Sequence, residues 1–146
     1  MKVYTIGFTQ KTAKEFFEKI KNNHIQLLID IRLNNASQLA GFAKGKDLEY
    51  FLQEICGCAY VHDDLFAPTK ALLDDYRAKK TSWAEYEKVF SGLMRERTLV
   101  KRFLDSYADK DNICLLCTEP TPQQCHRRLV AEYLQKDIPN IEVIHL

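Results

Sequence analysis

The sequence predicts an α/β fold, in which a mainly parallel sheet of about five strands is covered by helices on both faces. Short apolar runs alternate along the chain with longer segments of helical periodicity, as in successive βαβ units. The second run, QLLIDIR at 26–32, is apolar enough for a strand that is covered on both faces. The chain has 146 residues, of which 46% are hydrophobic, so we expect a single domain over residues 1–146.

The elements follow one another in a regular order. We predict strands over residues 3–8, 26–32, 59–62, 113–117 and 141–146. We predict helices over residues 12–23, 47–57, 69–79 and 82–107, and the basic cluster around Arg95 and Arg97 divides the last of these into two. Thr12, Asp47 and Ser82 carry side-chain oxygens suited to helix N-caps. The polar connection over residues 34–45 is long for a compact domain, and loops of this length are often functional.

The segment over residues 113–134 contains most of the candidate chemistry. A buried strand leads into a polar turn and then into an amphipathic helix. Thr121, Pro122 and Gln124 resemble the start of a capped helix, which predicts that this helix begins at Pro122. In that register His126 lies within an apolar stripe and Arg127 at its edge, so both side chains face the end of the sheet.

Bulk properties exclude several classes of protein. Lys and Arg number 21 against 20 Asp and Glu, so no overall positive field attracts nucleic acid or acidic lipid. No apolar run approaches the roughly 20 residues of a membrane span, and the first residues lack a signal-peptide pattern. The odd number of cysteines, five, indicates reduced thiols instead of a disulfide framework. We therefore expect a cytoplasmic protein without a membrane partner.

Polar residues follow several of the predicted strands. Ligands of open α/β sheets bind beyond the carboxyl ends of the strands, where these residues converge. The sequence thus predicts a pocket for a small anionic ligand. The catalytic candidates are Cys117 as nucleophile, Glu119 or Asp30 as general base, and His126 as acid or orienting group. The anion-binding candidates are Arg32, Arg127, Thr9 and Lys44.

Each candidate also has a structural interpretation. Arg32 and Arg127 would equally suit ion pairs with Asp30 and Glu119. A histidine on an apolar stripe is commonly a satisfied semi-buried residue, and buried cysteines such as Cys117 are commonly inert.

Metal binding is a weaker alternative. Cys114 and Cys117 are three residues apart on one strand, so they point to opposite faces and cannot chelate together. A zinc site would need Cys117, Cys125, His126 and a partner such as His62. We expect neither a metal nor another cofactor.

Four motifs carry a family resemblance: YTIG at 4–7, IDIR at 29–32, LCTE at 116–119 and CHR at 125–127. With them the chain resembles the domain of unknown function 488 family over nearly its whole length. APTKALLDDY at 67–76 and SWAEYE at 82–87 are similar to one subgroup. The resemblance implies a compact α/β fold and brings no established activity with it. The chain departs from the family at Phe8, where histidine is frequent, and at Asn34 and Asn35, where proline is frequent.

The second strand also looks like the IDVR strand of rhodaneses. A rhodanese or cysteine phosphatase needs an arginine about five or six residues after its cysteine. In this chain the residues five and six positions after Cys117 are Pro122 and Gln123. Neither activity is expected.

Three hypotheses for function remain. The leading one is an enzyme acting on a small phosphate- or nucleotide-like anion at the carboxyl end of the sheet. The second is a non-catalytic module that binds nucleic acid or protein, and the third is a metal or thiol redox site. The sequence indicates neither the reaction nor the oligomeric state.

Overall fold

A parallel β-sheet forms the centre of the molecule. The computed structural model describes residues 1–36 and 40–146, and these contain one sheet of five parallel strands. The strands are β1 (Lys2–Gly7), β2 (Leu27–Asp30), β3 (Ala59–His62), β4 (Asn112–Cys117) and β5 (Glu142–His145). Their order across the sheet is β3-β2-β4-β1-β5. The α/β prediction is confirmed, and each strand end lies within two residues of its predicted position.

Six α-helices connect these strands within the described residues. They are α1 (Ala13–Asn22), α2 (Gly45–Phe51), α3 (Lys70–Arg77), α4 (Trp83–Glu96), α5 (Leu99–Tyr107) and α6 (His126–Asp137). A π-helical turn, Leu52–Cys56, extends α2. Thr12, Thr69 and Ser82 cap their helices by accepting a hydrogen bond from the backbone N–H three residues later. Thr98, with φ of 50°, separates α4 from α5 near the predicted division.

Alternate residues of each central strand enter separate cores. Val3, Ile29 and Leu115 face α3 to α6, whereas Tyr4, Leu28 and Cys114 face α1 and α2. This period of two follows from the pleat of a strand, and it explains why the strands are apolar throughout. The two cores therefore lie on opposite faces of one sheet, as the sequence predicted.

Two predicted helix starts are wrong. Asp47 does not cap α2, because the helix begins two residues earlier, where Gly45 N–H donates to the Asn35 carbonyl at 2.8 Å. Likewise α6 begins at His126 and not at Pro122. Residues 121–125 form turns instead, and Cys125 occupies the N-cap position. The reason is tertiary, because His126 and Arg127 are buried against carbonyl groups outside the helix.

The polar connection over residues 34–45 is only partly described, since residues 37–39 lie outside the described residues. Its last part forms a short 3-10 turn, Gly41–Ala43, before α2. None of the helices within residues 1–36 and 40–146 combines the length and apolar character needed to cross a membrane.

Candidate functional site

A cavity of about 370 Å³ opens at the carboxyl ends of β2 and β4. Helices α3 and α4 and the start of α6 form its other walls. This is the position at which the sequence predicted a pocket. The lining residues that carry polar, thiol or aromatic groups are Arg32, Asn34, Lys70, Asp74, Tyr76, Arg77, Trp83, Tyr86, Cys117, Thr118, Glu119, Gln124, Cys125 and His126.

Cys117 and His126 form a contact inside this cavity. Cys117 is the last residue of β4 and His126 the first of α6, and Cys117 Sγ lies 3.3 Å from His126 Nδ1. The other ring nitrogen, Nε2, lies 2.7 Å from the carbonyl oxygen of Ile31. A carbonyl can only accept, so Nε2 carries a proton, and in the neutral ring Nδ1 presents its lone pair to the thiol. The edge of His126 also packs against Phe90, with ring centroids 5.8 Å apart.

The environment of Cys117 favours its thiolate. Burial alone would disfavour the charged form, but hydrogen bonds from the Cys125 thiol and the Thr118 backbone, together with the Arg127 charge, outweigh it. The pKa of Cys117 therefore lies below its ordinary value. The hydrogen bond to Cys117 and burial raise the pKa of Cys125. The arrangement thus favours a thiolate on Cys117 with Cys125 as its thiol donor.

Asp30 and Arg32 form a buried ion pair below the cavity. Arg32 Nε lies 2.8 Å from Asp30 Oδ1, and Arg32 Nη2 lies 2.7 Å from Oδ2, in a bidentate geometry. Tyr60 donates a further hydrogen bond to Asp30 Oδ2 at 2.6 Å, and Arg32 Nη2 also donates to the Ala43 carbonyl. Asp30 is fully buried and does not line the cavity, whereas Arg32 does. The Cζ atom of Arg32 lies over the Phe8 ring, 5.0 Å from its centroid.

Arg127 lies behind the thiols and does not line the cavity. It is fully buried, and its Nη1 donates to the Glu119 carbonyl and to Cys125 Sγ, the latter at 3.7 Å. Within the described part of the chain, its Nε and Nη2 have no hydrogen-bond partner, and Arg127 pairs with no carboxylate. Its charge consequently acts on Cys117 and Cys125.

The remaining candidates are placed differently. Glu119 is exposed and lines the cavity. Thr9 hydrogen-bonds to the Thr118 carbonyl at 2.7 Å and lines a separate groove beside α1. Lys44 precedes α2 and does not line the cavity. The structure therefore brings Arg32, Cys117, Glu119 and His126 to one cavity, whereas Asp30, Arg127, Thr9 and Lys44 are not among its lining residues.

Sequence reasoning missed the wall formed by α3 and α4. Tyr76, Trp83 and Tyr86 line the cavity, and the Trp83 and Tyr86 rings stack at 4.9 Å with an angle of 16° between their planes. Lys70 and Arg77 add two exposed cations. The available signal was the pair of stretches at 67–76 and 82–87 that resemble one subgroup, because four of these five residues lie within them.

Cys117, Cys125 and His126 could also hold a metal ion. Their donor atoms lie within 4.8 Å of one another, and all three residues are buried. His62 is not part of this group, since its Nε2 lies 2.7 Å from the Arg32 carbonyl.

Comparison with known proteins identifies a family for the chain. The family model described as "Domain of unknown function DUF488" matches residues 12–134. No curated protein and no solved structure matches the chain. The family resemblance predicted from the sequence is confirmed.

Proposed function

The chain belongs to the DUF488 family, and on this premise we propose that it is an enzyme that uses Cys117 as a nucleophile on a small anionic substrate. The substrate is phosphate- or nucleotide-like and binds in the cavity at the carboxyl end of the sheet. The observation that carries the proposal is the 3.3 Å contact between Cys117 Sγ and His126 Nδ1. A nucleophile beside a base that a third group orients is common to enzymes with covalent intermediates.

The Ile31 carbonyl is the third group. By accepting the Nε2 proton of His126, it keeps the basic Nδ1 directed at the thiol. His126 takes the thiol proton. For a phosphoester, Arg32 would hold the anion in place of the arginine that follows the cysteine in a cysteine phosphatase. Sγ then bonds to phosphorus as the bond to the leaving oxygen breaks, and that oxygen takes the proton from His126. Water attacks phosphorus, His126 takes a proton from that water, and the S–P bond breaks to restore the thiolate.

Arg32 provides the anion contact in this proposal. Its side chain is only 3% exposed, and it lines the cavity. Its Nη1 is buried and has no hydrogen-bond partner among residues 1–36 and 40–146, whereas Nε and Nη2 are occupied by Asp30. A buried N–H without a partner is costly, and an anion oxygen would satisfy it. Because Asp30 already neutralises Arg32, this contact orients the anion more than it attracts it.

Arg127 has a different role from the one predicted. It does not line the cavity, so it is assigned to the thiolate and not to the substrate. A guanidinium is charged throughout the physiological range, and Arg127 is buried without a carboxylate partner among the described residues. The Cys117 thiolate would compensate this charge.

The aromatic wall favours a substrate that carries a ring. Tyr76 and Trp83 are half-buried in the cavity wall, and they offer the planar apolar surface on which nucleobases stack. Lys70 and Arg77 lie at the same wall, where they would meet phosphate oxygens. Glu119, which also lines the cavity, is the second candidate for general base.

The test is turnover of a panel of phosphoesters and nucleotides by the wild-type chain, Cys117→Ser and His126→Gln. Removing the nucleophile should abolish measurable turnover, and removing the base should reduce kcat by about 10²- to 10⁴-fold. Cys56→Ser is the matched control, because Cys56 is half-buried against the opposite core. It should leave turnover unchanged.

Alkylation tests the nucleophile without a known substrate. In chelator-treated protein, iodoacetamide should modify Cys117 before Cys56, because the thiolate is the reactive form. Equal turnover in Cys117→Ser and wild type would remove Cys117 from the mechanism. A panel without turnover, together with a Cys117 no more reactive than Cys56, would contradict the proposal as a whole.

A further inference from the structure

Two thiols and an imidazole meet at the inner end of the cavity. Cys117 ends β4, Cys125 is the N-cap residue of α6 and His126 is its first residue. Their sulfur and nitrogen donors lie within 4.8 Å of one another. No fourth His, Cys, Asp or Glu joins this group in the part of the chain that the structure describes. Thiolate and imidazole are the ligands that zinc-class ions prefer.

The spacing of the donors is close to that of a tetrahedral site. With bonds of about 2.3 Å to sulfur and about 2.0 Å to nitrogen, tetrahedral zinc places two sulfurs about 3.8 Å apart and sulfur and nitrogen about 3.5 Å apart. Cys117 Sγ and His126 Nδ1 lie 3.3 Å apart. All pairs lie within 4.8 Å, so changes of at most about 1.3 Å in the distances between donor atoms would complete the geometry.

The histidine is already oriented as a metal ligand. Metal-binding histidines usually donate their second ring N–H to a carboxylate or a backbone carbonyl. His126 Nε2 lies 2.7 Å from the Ile31 carbonyl, which leaves Nδ1 free on the side of the Cys117 thiol. A ring fixed in this way loses little freedom when it coordinates an ion.

The surrounding charge also suits two thiolates. Arg127 is fully buried and donates from Nη1 to Cys125 Sγ at 3.7 Å. Its Nε and Nη2 are buried, and no residue that the structure describes forms a hydrogen bond with them. Such an N–H···S contact stabilises a metal-bound thiolate and tunes the site. Arg127 thus supplies positive charge where coordination of Cys125 would add negative charge.

The three ligands leave one coordination position on the cavity side. All of them line the cavity of about 370 Å³, so water or a small anion can reach an ion bound there. Zinc sites with three protein ligands and one open position are the kind that exchange their fourth ligand.

We infer that Cys117, Cys125 and His126 form a binding site for a zinc-class divalent ion with one exchangeable position. Occupancy coordinates the sulfur that the proposed function uses as nucleophile. The bound ion therefore prevents Cys117 from acting as a nucleophile. This regulatory effect rests on the proposed function, but the binding site itself is independent of the proposed function. Coordination displaces the Cys125 thiol proton, so binding weakens as the pH falls.

The test is titration of chelator-treated, reduced protein with Co²⁺, which reports its own coordination by absorption. One ion per chain should bind, with the ligand-field bands of a tetrahedral site and a thiolate-to-cobalt charge-transfer band. Cys125→Ser removes one sulfur and should weaken binding at least about tenfold, because losing even an outer-shell partner costs that much. Cys56→Ser should bind like the wild type. Excess Zn²⁺ should displace Co²⁺ and protect Cys117 from iodoacetamide.

The outcomes separate the two proposals. Absence of the tetrahedral bands in the wild type, or equal affinity in Cys125→Ser, would overturn the metal site whatever the turnover. Circular dichroism of Cys125→Ser establishes that a loss of binding does not come from unfolding. Alkylation of Cys117 in chelator-treated protein tests only the role of Cys117 as a nucleophile, because no ion is bound there. A protein that binds Co²⁺ but shows neither turnover of the panel nor preferential alkylation of Cys117 would keep the metal site and lose the proposed function.

Discussion

At the scale of single residues, the pair formed by Asp30 and Arg32 is the most constrained feature near the cavity. The two side chains are 0% and 3% exposed, and two parallel hydrogen bonds join them. Tyr60 donates to Asp30, and Asn35 donates to the Tyr60 hydroxyl at 3.0 Å. Burial raises the pKa of Tyr60, and the hydrogen bond to Asp30 raises it further. The hydroxyl therefore keeps its proton and remains a donor. The network holds Arg32 in one orientation at the cavity.

Asp30→Asn should destabilise the protein by about 3–5 kcal/mol, because it leaves the Arg32 charge buried without its counterion. The measurement is the free energy of unfolding in urea. Asp105→Asn is the matched control, since Asp105 pairs with Lys101 on the surface, where the two side chains are 62% and 75% exposed. Loss of that exposed helical pair should leave the free energy of unfolding nearly unchanged, because solvent screens the two charges. Similar losses in both variants would show that Asp30 is not holding a buried charge.

At the scale of elements, the connection between β4 and α6 lies across the end of β1. Thr9 N–H and Thr9 Oγ1 both donate to the Thr118 carbonyl, at 3.3 and 2.7 Å. Gly7 lies below this connection, and a Cβ there would be 1.6 Å from the Glu119 carbonyl oxygen and 2.7 Å from Arg127 Nη1. The close approach that glycine permits therefore positions the segment carrying Cys125 and His126.

Gly7→Ala should displace the connection between β4 and α6, because the nearest atom is backbone and cannot rotate away. We expect a loss of about 1–3 kcal/mol or more in unfolding free energy and slower alkylation of Cys117. Gly92→Ala is the control, since a Cβ at this position of α4 would meet no atom of another element within 4 Å. It should stabilise the helix by about 0.5–1 kcal/mol. Unchanged stability and alkylation in Gly7→Ala would contradict this account of the connection.

At the scale of the whole molecule, one sheet separates two cores that carry different probes. Trp83, the single tryptophan, packs against the core formed with α3 to α6. Cys58 is fully buried in the core formed with α1 and α2. Burial raises the pKa of Cys58 to about 12, so at pH 8 its thiol stays protonated and unreactive in the folded protein. The two residues therefore report on opposite faces of the sheet.

The two cores should unfold together, because residues of β1, β2 and β4 contribute alternately to both. In urea at pH 8, Trp83 fluorescence and the labelling of Cys58, located by peptide mass spectrometry, should change at the same midpoint. Circular dichroism gives the control midpoint for secondary structure. Labelling of Cys58 well before the fluorescence change would show that the face covered by α1 and α2 opens independently.

The sequence determined the order of elements and the edge of the sheet at which the candidate site lies. Apolar runs with a period of two and helices with caps such as Thr12 and Ser82 are local signals, and each is readable within about ten residues. Because the strands are parallel, their carboxyl ends meet at one edge of the sheet. The sequence alone therefore predicts that Arg32, Cys117 and His126 lie at that edge.

Only the tertiary structure decided what each of these groups contacts. Helix α6 begins at His126 and not at the predicted Pro122, because the His126 side chain hydrogen-bonds to the Ile31 carbonyl and Arg127 to the Glu119 carbonyl. The aromatic wall comes from α3 and α4, and its approach to β4 depends on packing across many residues. Periodicity specifies which face of an element is buried. It does not specify which distant carbonyl, thiol or ring that face meets, because those contacts arise only when the elements assemble.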